Sequence, residues 1–149
     1  MGAEPWYYFV PYQKDVNKAL QELRQQEFLA GRYYPASDFP FSIAENLSVS
    51  KTQHNSISEA IKGAGETGTQ SILDIQEVVE YRELCKVAPL SIEEQMECFS
   101  TLFPTRQILV DQKKMWEVFD LLDRGEAVYC IVYDAEYPKE IFFAGYSFD

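Results

Sequence analysis

The chain has 149 residues and carries 24 acidic against 13 basic side chains, for a formal net charge of -11. One domain spanning 1–149 fits that length, and 46% hydrophobic residues with 15% aromatics are too many for a disordered chain. The acidity argues against a phosphate-backbone binder, so no nucleic-acid partner is expected, and a single His excludes a multi-His metal centre.

Met1 to Tyr12 show no basic region followed by a long apolar run, and the apolar stretch Trp6 to Tyr12 is far short of a membrane span. A cytoplasmic protein without a membrane partner is the expectation. Trp6 to Val10 is aromatic and β-branched, which predicts a strand; Pro11 ends it or places it at a sheet edge. A helix is expected from about Lys14 to Gly31, because Val16, Ala19, Leu20 and Leu23 form one apolar stripe. Asp15 suits its first turn and Gly31 its C-terminal stop. Glu27 falls about 20° from Val16 at the helical rotation per residue, inside that stripe. A carboxylate there is either wet at the helix end or buried and paired, with a Tyr hydroxyl, the backbone, Arg32 or Arg106 as partner; in the functional version it orients a ligand in a pocket.

Residues 32–55 are polar and proline-containing, which predicts a long irregular segment with a short helix near Ser42 to Leu47. The lone His54 is expected to be exposed in that loop. Ser56-Ile-Ser-Glu59 is a capping box for a short helix. Gly63-Ala-Gly65-Glu-Thr-Gly68 matches G-x-G-x-x-G in form, but a helix precedes it where a dinucleotide site needs a strand, so the glycines read as a helix stop and a turn. Residues 69–79 alternate at Leu73, Ile75 and Val79 and read as a strand, although Ser71 could instead cap a helix. Asp74 interrupts that apolar run, on a solvated face or in a site. Ser91-Ile-Glu-Glu94 opens another helix whose stripe, Ile92, Met96, Phe99 and Phe103, runs to Pro104. Thr105 and Asp111 can cap one or two further helices up to Leu122, and Arg106 at that start reads as an ion-paired surface residue or an anion contact. Ala127 to Tyr133 and Ile141 to Tyr146 flank turn residues and predict an antiparallel hairpin, central in its sheet because both strands are apolar on both faces.

These elements predict an α+β fold: a single domain with a mainly antiparallel sheet of about four strands, ending in a C-terminal β-hairpin, with three to four helices packed on it. Cys85, Cys98 and Cys130 are odd in number and lack C-x-x-C spacing, and a Cys–His pair with His54 has no evident orienting partner. No catalytic residue, metal site or cofactor is assigned.

Tyr-Phe-Val-Pro-Tyr12, Glu27-Phe-Leu-Ala-Gly31-Arg-Tyr-Tyr34, Gly68-Thr-Gln-Ser-Ile-Leu-Asp74, Pro104-Thr-Arg106 and Ile141-Phe-Phe-Ala-Gly-Tyr-Ser147 together resemble a group of small hypothetical proteins from cyanobacteria and actinobacteria. The resemblance spans most of the chain. It implies a bacterial cytoplasmic setting and carries no assigned activity and no catalytic residues. It draws interest to Glu27, Asp74 and Arg106, which lie inside the matching stretches.

The acidity is uneven: residues 1–75 hold nine acids and six bases, residues 76–149 fifteen and seven. Scattered helix faces account for such a surface; a field that steers a basic partner is the functional version. The leading expectation is a non-enzymatic acidic protein-interaction module, self-associating or an inhibitor of a basic partner, with Tyr7, Tyr8, Tyr33 and Tyr34 as interface candidates. The alternative is a small-molecule-binding protein or small hydrolase in which Glu27, Asp74 and Arg106 converge on one pocket.

Overall fold

The computed structural model describes residues 3–36 and 54–148. The expected short helix near Ser42 to Leu47 lies outside them. The described residues form an α+β fold around one five-stranded sheet: β1 (Pro5–Pro11), β2 (Glu77–Val78), β3 (Lys86–Pro89), β4 (Ala127–Asp134) and β5 (Tyr137–Tyr146), in the order β1-β5-β4-β3-β2. β1 and β4 pair antiparallel with β5, whereas β3 runs parallel to β4 and β2 parallel to β3. The sheet is therefore mixed, with five strands rather than about four.

β4 and β5 form the expected C-terminal hairpin, and β5 lies between β4 and β1. Phe142 and Phe143 on β5 are both fully buried, one on each face, and each such ring contributes about 2–3 kcal/mol of transfer free energy. This is why the strand is apolar at consecutive positions rather than alternate ones.

Helices cover both faces. α1 (Val16–Ala30) packs Ala19, Leu20 and Leu23 against Trp6, Ile141 and Phe143 on one face. α2 (Ile57–Ala64) extends that layer, with Ala60 beside Phe28, Tyr33 and Leu73. α3 (Ile92–Phe99), α4 (Arg106–Leu109) and α5 (Gln112–Phe119) cover the other face, where Phe99, Leu109, Met115 and Val118 meet Val128, Cys130 and Phe142. The caps act as the residue types demand. Asp15 accepts from the Lys18 N–H, Thr105 from Ile108 and Asp111 from Lys114, so 106–119 forms two helices and the described residues hold five α-helices rather than the expected three to four. The Ser91–Glu94 capping box is complete, with both reciprocal bonds in place.

Two expectations fail locally. Residues 69–79 do not form one strand: Ile72–Asp74 is a 3-10 turn and only Glu77–Val78 pairs, because the Ser71 hydroxyl accepts from the Leu73 N–H and winds the backbone. The helix after Ser91 stops at Phe99 rather than running to Pro104, because Ser100 takes a left-handed conformation, with φ 59°.

Candidate functional site

β1 is an edge strand, and among the described residues no other strand pairs with its outer edge. The Tyr12 N–H donates to the Lys139 carbonyl, and the Ser147 N–H donates to the Glu4 carbonyl. Even-numbered residues of this segment thus turn their backbone polar groups toward β5. By alternation, Pro5, Tyr7, Phe9 and Pro11 turn theirs outward. Pro5 and Pro11 have no N–H, which blunts the two ends of the edge. Between them the Tyr7 and Phe9 N–H and C=O groups face away from the sheet, and residues 5–12 contain no charged side chain.

A groove of about 550 Å³ runs along this edge. Tyr8, Val10, Leu23, Gln26, Glu27 and Arg32 contribute its wall on the α1 side; Tyr7, Phe9, Arg106 and Val110 contribute the other. Tyr7 and Val110 also line an adjoining apolar hollow of about 250 Å³ with Pro5, Met115, Trp116 and Phe119. Tyr7 is 50% exposed, and Val110 and Trp116 are exposed beside it. Three neighbouring elements thus leave apolar surface uncovered where the sheet ends.

The α1 side carries the polar chemistry. Gly31 ends α1 in the left-handed region, at φ 72°, and the reversal brings Arg32 back over the last turn. Its Nε and Nη2 donate to Glu27 Oε1 and Oε2 at 2.9 and 2.7 Å, a bidentate pair. Glu27 is only 3% exposed, so of the partners that the sequence left open, Arg32 is the one supplied. The pair holds the Arg32 guanidinium above its ordinary value. The Tyr8 hydroxyl lies in the same neighbourhood and accepts from the Ile72 N–H at 3.4 Å. Burial, and then the Glu27 carboxylate, push its pKa far above the ordinary phenol range, so it stays a neutral hydroxyl at physiological pH. On the other side of β1, the Arg106 guanidinium lies 4.4 Å above the Phe9 ring, and its Nε is 3.7 Å from Glu140 Oε1.

Asp74 is not part of this groove. Its Oδ1 accepts from the Thr69 N–H and hydroxyl, both at 2.8 Å, while Oδ2 has no hydrogen-bond partner among the described residues. Burial raises its pKa, with the Thr69 bonds opposing. Gly68, at φ 72°, is required there: a Cβ would come within 2.8 Å of Asp74 Oδ2 and 2.6 Å of Phe148. Asp74 fastens the turn between α2 and β2. Glu27 and Arg106 share the groove, so the structure brings together two of the three expected ligand residues.

The four interface tyrosines separate in the same way. Tyr7 is exposed and Tyr8 half-buried, both on the groove, and Tyr34 is half-buried. Tyr33 is fully buried, stacked on Phe28, with its hydroxyl 2.8 Å from His54 Nδ1, and has no surface to offer a partner. His54 is accordingly half-buried rather than exposed. Cys98 and Cys130 lie in the core on the other face of the sheet from Tyr33 and His54. Burial pushes their thiols up to about 11 and about 12, the reverse of what a nucleophile needs. Among the described residues no group of His, Cys, Asp and Glu is placed to hold a metal ion, and no helix is long and apolar enough to cross a membrane.

Sequence reasoning singled out Glu27 and Arg106 and took Pro11 either to end its strand or to place it at an edge. It missed Phe9, which is half-buried on the groove, and the exposed Val110 and Trp116, which line the hollow beside β1. It also missed Pro5, although its spacing from Pro11 was a readable sign of a guarded edge. The chain matches no family model, no curated protein and no solved structure.

Proposed function

We propose that this chain is a non-enzymatic protein-interaction module that takes up an extended segment along the free edge of β1. The observation that carries the reading is the pair of outward-facing residues, Tyr7 and Phe9, whose backbone groups open onto a groove with apolar surface beside it. Strand addition at such an edge uses main-chain hydrogen bonds for affinity and pockets for alternate side chains for selectivity. The hollow under Val110 and Trp116 suits an apolar side chain, and the Arg106 side of the groove a polar one. The carboxylate–guanidinium pair at Glu27 and Arg32 is saturated by its own bidentate geometry, which fits a rigid wall better than a reacting centre.

The test is a selection of random dodecapeptides on the immobilised chain, with a Tyr7→Pro variant as counter-target. That substitution removes an outward N–H for which no bond is seen among the described residues. Selected peptides are expected to bind the variant at least tenfold less tightly and to slow amide exchange at Tyr7 and Phe9. Peptides that bind both forms equally, or that leave those amides unprotected, overturn the reading.

A second reading rests on the groove's volume, which falls within the range of small-molecule sites. There a small molecule would contact Glu27 and Arg106. Fragment binding that is abolished by Arg106→Ala but unaffected by Tyr7→Pro would select it, and a hydrolase that also used Asp74 would require that residue to leave its Thr69 bonds.

A further inference from the structure

We infer that the segment taken up at this edge is β1 of a second copy of the chain, paired antiparallel about a two-fold axis through Tyr8. The inference rests on the reading of β1 as a docking edge and names its occupant. Its warrant is the symmetry of the edge itself. The outward positions are Pro5, Tyr7, Phe9 and Pro11, which lie three and one residues to either side of Tyr8. A two-fold at Tyr8 sets Tyr7 opposite the partner's Phe9 and Phe9 opposite the partner's Tyr7. Each of these two couples then exchanges both N–H···O bonds, as outward pairs do in an antiparallel ladder. The same axis sets Pro5 opposite the partner's Pro11, so the two missing donors face one another and no N–H is stranded. Moving the register by two residues would set a proline against Tyr7 or Phe9 and forfeit a bond at each mismatch. An isologous interface needs such a self-complementary patch.

The charge distribution supports the same occupant. Two copies at a net charge of -11 repel, and an uncharged contact surface adds no local repulsion to that. Residues 5–12 carry no charge, and in the groove beside them Glu27 is paired with Arg32 and Arg106 lies 3.7 Å from Glu140. Proteins keep an edge strand apart with charged residues or prolines along it. This edge has no charge, and its two prolines guard only the ends and leave the central couples open. Tyr7 would then lie beside the partner's Phe9 on the α4–α5 face, a cross-strand aromatic pair, with Val110 and Trp116 covered alongside.

The experiment is sedimentation equilibrium of the full chain over a concentration series at about 0.05 and 0.5 M salt, paired with residue-resolved amide exchange. A species of twice the 17.2 kDa chain mass is expected, which dissociates on dilution. It should tighten at least threefold at the higher salt, because screening weakens the repulsion between like-charged copies. Tyr7 and Phe9 amides should exchange at least tenfold more slowly in the dimer, and Tyr7→Pro should remain a monomer with an unchanged circular dichroism spectrum. Should that variant unfold, the amide pattern of the unaltered chain decides the matter. A chain that stays monomeric at every concentration overturns self-pairing, as does a dimer in which those two amides exchange freely or one that loosens with salt. A monomer whose Tyr7 and Phe9 amides are protected by a selected peptide overturns self-pairing alone and leaves the docking edge standing.

Discussion

The Glu27–Arg32 pair shows how one misplaced residue marks a structural decision. The apolar stripe of α1 asks for a hydrophobe at 27, and the chain supplies a carboxylate with its cation five residues later, beyond a glycine reversal. Neither charge is independent of the other. Arg32→Met would leave a carboxylate 3% exposed without its guanidinium, and breaking a buried pair from one side costs about 3–5 kcal/mol. The Arg32 side chain is partly open to the groove, so solvent screens the loss and about 2–3 kcal/mol is expected. Glu27→Gln should cost less, since the guanidinium it leaves is the more hydrated partner. The double variant Glu27→Leu with Arg32→Met removes both charges and should return to within about 1 kcal/mol of the native chain. Urea unfolding of the three variants measures this. If Arg32→Met costs no more than Glu27→Gln, the carboxylate is solvated and the pair is incidental. The sequence exposed this residue because a helical stripe is a local pattern. It left the partner open because the choice between Arg32 and Arg106 is made by the Gly31 reversal and by which face of β1 each arginine reaches.

At the scale of elements, the hairpin was legible and the parallel strands were not, for one physical reason. β4 and β5 are rich in β-formers, and the residues between them form a local turn, so their pairing is written into neighbouring sequence. β3 is four residues long, ends in Pro89 and pairs in parallel with strands that are separated from it in the chain. Nothing local announces such a partner, and only the fold as a whole places it. The 69–79 segment shows the opposite failure: its alternation is real, but the side-chain bonds of Thr69, Ser71 and Asp74 wind the backbone into turns instead. The legible hairpin still contains a strained position. Ala135 opens its two-residue turn at φ 56°, where only glycine rests without steric cost. Ala135→Gly should therefore stabilise the chain by about 0.5–1 kcal/mol despite the added freedom of the unfolded state. A rise in the urea midpoint with unchanged slope checks it; a lower midpoint means that unfolded-state entropy outweighs the relief of the turn.

For the whole molecule, the described core residues form hydrophobic layers on the two faces of one shared sheet. Trp6 is packed in the α1 layer, and Trp116 sits on α5 at the margin of the other. Phe142 and Phe143, adjacent on β5, are committed to opposite layers, so neither layer can lose the strand without stripping the other. This argues for one cooperative unit rather than two stacked halves. The two tryptophans make the claim measurable. A Trp116→Phe chain reports only the α1 layer by fluorescence, and a Trp6→Phe chain only the α5 margin. Each trace is compared with the far-ultraviolet circular dichroism of the same variant, so a change in overall stability does not matter. In both chains the fluorescence and dichroism midpoints in urea are expected to coincide. A Trp116 signal that is lost well before the dichroism would mean that the α3–α5 layer peels from the sheet on its own. The apolar hollow at its margin would then belong to a loosely held layer, and a partner strand along β1 would have only one firm wall to dock against.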